Sequence, residues 1–261
     1  QALNMPGTKS PLYYDIFIGG NGSVDRIPPT VTASESGGLY NAAQIISLNS
    51  SEPGHIYYTT NGDTPTTNST EYTTPININT NTVLKYFAID HGGNSSTIYT
   101  ETYQIDTVKP EVEADLKTGS YNSVQYVNLS INEPGHIYYT TNGTTPTTSS
   151  KFYLAPLIIT KTTTLKFIAT DYAGNVSDMC TETYTIDTTP PNVQVNIPGG
   201  LYKTTQKVTL ISSEPGHIYY TINGDTPTNN STEYTTPITI DTNTTLKFIA
   251  VDYAGNSSQL Q

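Results

Sequence analysis

Glu52-Pro53-Gly54-His55-Ile56-Tyr57-Tyr58-Thr59 returns as residues 133–140 and again as 214–221, offset by 81 residues each time. A second block keeps the same step: Leu84-Lys85-Tyr86-Phe87-Ala88-Ile89-Asp90 is followed by relatives of itself at 165–171 and 246–252. Each copy then runs into a Gly-Asn pair, at Gly93-Asn94, Gly174-Asn175 and Gly255-Asn256. Proline punctuates the start of every copy, at Pro28-Pro29, Pro110 and Pro190-Pro191. A fixed period held by several blocks marks tandem copies of one structural unit. The repeats are placed at 28–108, 109–189 and 190–261, behind an N-terminal extension, 1–27.

Within a repeat the pattern is that of β structure. Helical periodicity is absent, and 17 Pro and 19 Gly would interrupt most helices. Short runs rich in Thr, Tyr, Ile and Val suit a pleated, half-buried surface. In the second repeat strands are expected near 111–116, 124–131, 136–142, 151–154, 156–160, 163–170 and 178–187. Turn signals separate them, among them Glu133-Pro134-Gly135, Asn142-Gly143 and Ala173-Gly174-Asn175. Short strands at this density imply an all-β chain of three immunoglobulin-like sandwiches. The Cys…Trp…Cys core of antibody domains is missing, since the chain has one Cys and no Trp.

EPGHIYYTTNGDTPT followed by LKFIAVDYAGNSS resembles the immunoglobulin-like repeat of the chitobiase/β-hexosaminidase C-terminal type, over roughly residues 28–261. The resemblance implies a secreted or surface location, as in tandem copies of methanogenic archaea and some bacteria. It implies roles as spacer, adhesin stalk or enzyme appendage, and it transfers no catalytic residue.

Composition narrows the function. The chain carries net charge −11, with 47 Thr, 22 Asn and 21 Ser making up for few charges. No basic patch invites nucleic acid. No apolar run is long enough to span a bilayer. No apolar signal region opens the chain, which reads as an already processed terminus. Cys180 has no internal disulfide partner.

Two irregularities stand out against the repeat. Repeats one and two end in a strand with Tyr103 and Ile105, or Tyr184 and Ile186, on one face; repeat three stops at Gln261, nine residues short of a full period. A sandwich without its last strand exposes an edge and a stripe of core. At the other end, residues 12–18 alternate with period two: Leu12, Tyr14, Ile16 and Ile18 form an apolar face, and Gly19-Gly20-Asn21-Gly22 follows as a linker. A lone strand is not stable by itself. Joining the two irregularities gives donor-strand addition between identical subunits, a contact that does not close and so grows a filament. The alternatives are a cut in a longer repeat array, a tail folded back on repeat one, or a monomeric stalk or glycan-binding region.

Candidate chemistry is sparse. His55, His136 and His217 occupy equivalent places in successive sandwiches, each ~35 Å long, and so cannot share one metal. The acids recur at loop positions as structural residues do, and no nucleophile has a base and an acid of its own nearby, so no enzyme is expected. Tyr57, Tyr138 and Tyr219 each head a Tyr pair, of which one ring points out; cross-strand packing is the plain reading and sugar stacking the rival. Lys85, Lys166 and Lys247 recur with the regularity of Lys–Asn cross-links in some surface repeats, or as ordinary outward strand lysines. Sequons stand at Asn21, Asn49, Asn68, Asn94, Asn128, Asn142, Asn175, Asn229, Asn230, Asn243 and Asn256, as candidate N-glycan acceptors on an extracellular surface. Finally, the sandwich topology brings three acids toward each entry of the chain into a sandwich: Asp25, Glu52 and Asp90; Asp106, Glu133 and Asp171; Asp187, Glu214 and Asp252. Clustered carboxylates with nearby carbonyls suit Ca²⁺, while Asp in turns also serves its own loop.

Overall fold

The computed structural model describes residues 25–261; the alternating segment 12–18 and the sequon at Asn21 lie outside the described residues. The described residues divide into two compact units, the first ending at Val108 and the second spanning 109–261. The described part of the first holds one sandwich, and the second holds two.

In the first sandwich the strands are β1 (Val31–Ala33), β2 (Gly38–Tyr40), β3 (Gln44–Ile46), β4 (Leu48–Ser50), β5 (Gly54–Thr59), β6 (Thr70–Glu71), β7 (Ile76–Ile78), β8 (Thr82–Asp90) and β9 (Tyr99–Ile105). One layer is a five-stranded sheet in the order β2-β9-β8-β5-β6. Facing it, β1 pairs with β4 and β3 with β7. The second sandwich repeats this with β10 (Val112–Ala114), β11 (Gly119–Tyr121), β12 (Gln125–Val127), β13 (Leu129–Ile131), β14 (Gly135–Thr140), β15 (Lys151–Phe152), β16 (Leu157–Ile159), β17 (Thr163–Asp171) and β18 (Cys180–Ile186). The third has β19 (Val193–Val195), β20 (Gln206–Val208), β21 (Leu210–Ser212), β22 (Gly216–Thr221), β23 (Thr232–Glu233), β24 (Ile238–Ile240) and β25 (Lys247–Asp252).

The expected strand 124–131 keeps its alternation, with Val127 and Leu129 buried and Asn128 exposed between them. It changes partner midway: β12 pairs with β16, and β13 with β10. One element unforeseen from the sequence is β11, which lies parallel to β18 with Tyr121 opposite Ile186. Three residues beginning with glycine carry no strand signal, and only the neighbouring strand gives this segment a ladder.

Each core is built from the inward residues of both layers. In the second sandwich Val127, Leu165, Phe167, Ala169 and Tyr184 are essentially sealed from solvent. The Tyr184 hydroxyl donates to the Leu116 carbonyl at 2.8 Å, and Tyr103 does the same to Glu35 at 2.7 Å in the first. A buried ring contributes about 2–3 kcal/mol of apolar transfer, and the hydroxyl finds a partner instead of being left unsatisfied. Burial and neighbouring acids push both phenols well above their ordinary pKa, so they stay neutral donors. The third core is smaller, built on Val193, Val208, Leu210, Ile218, Ile238, Phe248 and Ala250.

Candidate functional site

The long central strand of each five-stranded sheet ends in an aspartate that organises the following turn. Asp90 accepts the Asn94 backbone N–H at 2.8 Å and the Asn94 amide at 2.9 Å. Asp252 is held the same way by Asn256, at 2.8 and 2.9 Å, and Asp171 takes the Asn175 N–H at 2.8 Å and its amide at 2.7 Å. The turn closes through a glycine at positive φ, 86° at Gly93 and 91° at Gly255, a conformation that costs other residues a steric penalty. The same Asn amide reaches back to the chain just before its own sandwich: Asn94 donates to the Asp25 carbonyl at 3.3 Å and Asn256 to the Asp187 carbonyl at 2.8 Å. The motif therefore ties the central strand to the incoming chain.

Around this tie three carboxylates converge as the sequence predicts. Asp25, Glu52 and Asp90 each offer an oxygen within 4.8 Å of the others, and so do Asp187, Glu214 and Asp252. Asp106 belongs to the first unit, where its Oδ1 accepts the Val108 N–H at 3.0 Å; Glu133 and Asp171 belong to the second. Three carboxylates at such separations are a donor set that suits a hard cation taking six to eight oxygens. The same oxygens already accept loop N–H groups: Asp25 takes that of Ile27 and Asp187 that of Thr189, both at 3.0 Å. Melting the protein with calcium and with a chelator separates the two uses of these acids.

Burial works against the charged forms of Asp90, Asp171 and Asp252, yet the Asn side-chain and backbone hydrogen bonds overcome it and hold all three below the usual carboxylate pKa. Asp115 is lowered too, mainly by the side chain and N–H of Asn128. A depressed native pKa contributes stability that is complete above the unfolded value of about 4 and is lost as pH falls through the native value. Stability should therefore be flat near neutrality and fall steeply below about pH 4. Asp252→Asn should melt lower than the parent at pH 7, with the gap narrowing in acid. A gap that stays constant down to pH 3 would show that the Asp252 charge is not the cause.

The sequons divide by geometry. At Asn94, Asn175 and Asn256 the amide nitrogen, the atom that would carry a glycan, already donates to the loop aspartate. Asn128 donates its amide to Asp115 at 2.7 Å. Asn49, Asn68, Asn142, Asn229, Asn230 and Asn243 are exposed. Tyr57 packs across the strand on Phe87, ring centres 5.8 Å apart. His55 and His217 face Glu71 and Glu233 at 2.6 and 2.7 Å, a place Phe152 takes beside His136. The cross-strand neighbours of Lys85 are Thr59 and Thr100, and those of Lys166 are Thr140 and Thr181, so neither lysine stands opposite an asparagine. Cys180 is half-buried, its thiol against the Val112 carbonyl at 3.2 Å, and burial raises its pKa.

The remaining feature is an edge. In the first two sandwiches β8 and β17 pair along their leading halves with β9 and β18. In the third, Phe248 of β25 exchanges both ladder bonds with Gln261, at 3.0 and 3.2 Å. Among the described residues the ladder on that side goes no further, and the sheet order is β23-β22-β25. Leu246 is partly exposed, where its counterparts Leu84 and Leu165 are wholly buried. In the same sandwich Tyr202 donates its hydroxyl to the Pro198 carbonyl at 2.6 Å, as Tyr40 and Tyr121 do to Ser36 and Lys117.

These features define a chain of tandem immunoglobulin-like sandwiches. The family model for the chitobiase/beta-hexosaminidase C-terminal domain matches residues 35–100, 116–181 and 197–261, and the chain belongs to that family. Fibronectin(III)-like modules of Clostridium thermocellum CbhA overlay at TM-score 0.38 with 17% identity, covering 60% of this chain and 94% of that one. The FN1–FN3 domains of chicken CNTN1 overlay at 0.29 with 13% identity, covering 90% of this chain and 97% of that one. A search of curated protein sequences finds no match. Domains of this family are accessory rather than catalytic, and tandem copies fit a region of a cell-surface or carbohydrate-active protein. Among the described residues no helix is long and apolar enough to cross a membrane.

Proposed function

We propose that this chain is the structural subunit of an extracellular filament, in which the N-terminal strand of one copy completes the third sandwich of the next. What supports this reading is the side of β25 at Leu246, which is partly exposed among the described residues while its counterparts Leu84 and Leu165 are wholly buried, taken with the apolar alternation of residues 12–18. An unpaired edge beside partly exposed apolar side chains is a template for strand addition. In the sequence, residues 12–18 alternate with Leu12, Tyr14, Ile16 and Ile18 at every second position, and Gly19-Gly20-Asn21-Gly22 follows. The two surfaces differ, so each added copy leaves the same pair of ends free and growth stays open. Glycans on the exposed sequons would shield such a weakly charged fibre.

Micrographs and sedimentation of the purified chain test the reading. Filaments many subunits long are expected, lengthening with protein concentration. A monomer at every concentration overturns it and favours the stalk or spacer role that the family supports.

A further inference from the structure

In the second sandwich the outward face of the smaller layer, β10-β13 with β12-β16, differs from the same face of the other two. We infer that it docks on the same face of a second copy about a two-fold axis. Val112 and Ala114 are buried, so Glu111, Glu113 and Asp115 alternate with them along the exposed side of β10. The equivalent positions hold Thr30, Thr32 and Ser34 in the first sandwich and Asn192, Gln194 and Asn196 in the third. Beyond β16 stands Lys161, also exposed, where the others have Thr80 and Thr242. Between the charges the face is apolar. Tyr126 and Ile158 lie directly opposite each other on β12 and β16, 63% and 62% exposed. At the edge Leu154 lines a groove of about 480 Å³ with Phe152 and Ile158. The other sandwiches carry Thr73 or Thr235 for Leu154, Glu71 or Glu233 for Phe152, and Asn77 or Thr239 for Ile158.

The order acid, apolar, base along this face identifies the occupant. Glu113 pairs with Ser130, and Ile159 with Gln125. Continuing the second register brings Lys161 level with Ser123, roughly 23 Å along the strand from Ser130 at the usual rise. The midpoint falls at Tyr126. A second copy turned end for end about that point lays Lys161 of each chain over Glu113 of the other, and the apolar centre over itself. The face is thus complementary to its own copy in charge, on a chain whose net charge of −11 makes copies repel elsewhere. Such a contact is isologous and closes at two chains. Asn128, which shares the face, already donates its amide to Asp115 at 2.7 Å. A face three short strands wide belongs to the small, reversible class of contacts, so dilute chains stay apart and a covalent link is needed to trap the pair.

Sheets packed face to face lie about 10 Å apart, so a short bismaleimide can join a cysteine on the axis to its own counterpart. In the full chain with Cys180→Ser, Tyr126→Cys should give a dimer band on a denaturing gel several times stronger than Ile45→Cys or Lys207→Cys. Those two hold the same position in the other sandwiches and are exposed as well. Each variant carries a single cysteine, so linking stops at the dimer whether or not the chains also form filaments, and the two readings fail separately. Lys161→Glu added to Tyr126→Cys should cut the band several-fold, and Glu113→Lys added to both should restore it. Equal bands from the three positions overturn the contact. A Tyr126→Cys band that Lys161→Glu leaves unchanged overturns the end-for-end arrangement.

Discussion

Ile16→Asp together with Ile18→Asp leaves the protein monomeric while its sandwiches stay folded. On the proposed assembly the added strand would bury its apolar face against the third sandwich, beside the partly exposed Leu246. An unpaired carboxylate there costs several kcal/mol, and about 4 kcal/mol corresponds to roughly a thousandfold in the dissociation constant. Sedimentation should show a single small species, and circular dichroism should match the parent in amplitude and melting. Removing residues 1–19 should have the same effect. Filaments of normal length from either variant would remove the extension from the assembly.

Gly135→Ala unfolds the second sandwich more readily than any surface change should. This glycine opens β14 opposite Asp171. A Cβ built on it would stand 2.1 Å from the Thr170 carbonyl oxygen and 3.0 Å from the Asp171 Cα. Backbone on the neighbouring strand cannot rotate away as a side chain can, so the strands must part, at a cost of about 3 kcal/mol. Gly54 and Gly216 meet the same crowding in their own sandwiches, at 2.1 and 2.3 Å. A control is Gly199→Ala, which meets nothing within 4 Å and should stay within about 0.5 kcal/mol. Hydrogen exchange locates the effect: protection should fall across β14 and β17 and hold elsewhere. Equal stability of the two variants would refute the clash.

The sequence alone determined the repeat, its all-β character and the family. A period of 81 residues shared by several blocks is a covalent fact, and alternation of Thr, Tyr, Ile and Val needs no tertiary partner to be read. It also pointed to Asp25, Glu52 and Asp90, and to Asp187, Glu214 and Asp252, as acids that the loops bring near one another. What the chain does with those acids was decided in three dimensions. The Asn of each Gly-Asn pair reads in the sequence as a turn residue and, with the Ser two positions on, as a glycan acceptor. Only the fold shows its amide spent on Asp90 or Asp252 and on the carbonyl of Asp25 or Asp187. Gly135 likewise reads as a turn signal. Its reason for being glycine is the backbone of β17, 35 residues away and in contact only after folding. The parallel strand β11 has no local signal at all, because a three-residue ladder exists only when β18 lies beside it. Local pattern fixes which residues can share a face; long-range backbone pairing fixes which hydrogen bonds those residues make, and with them what each loop side chain has left to offer.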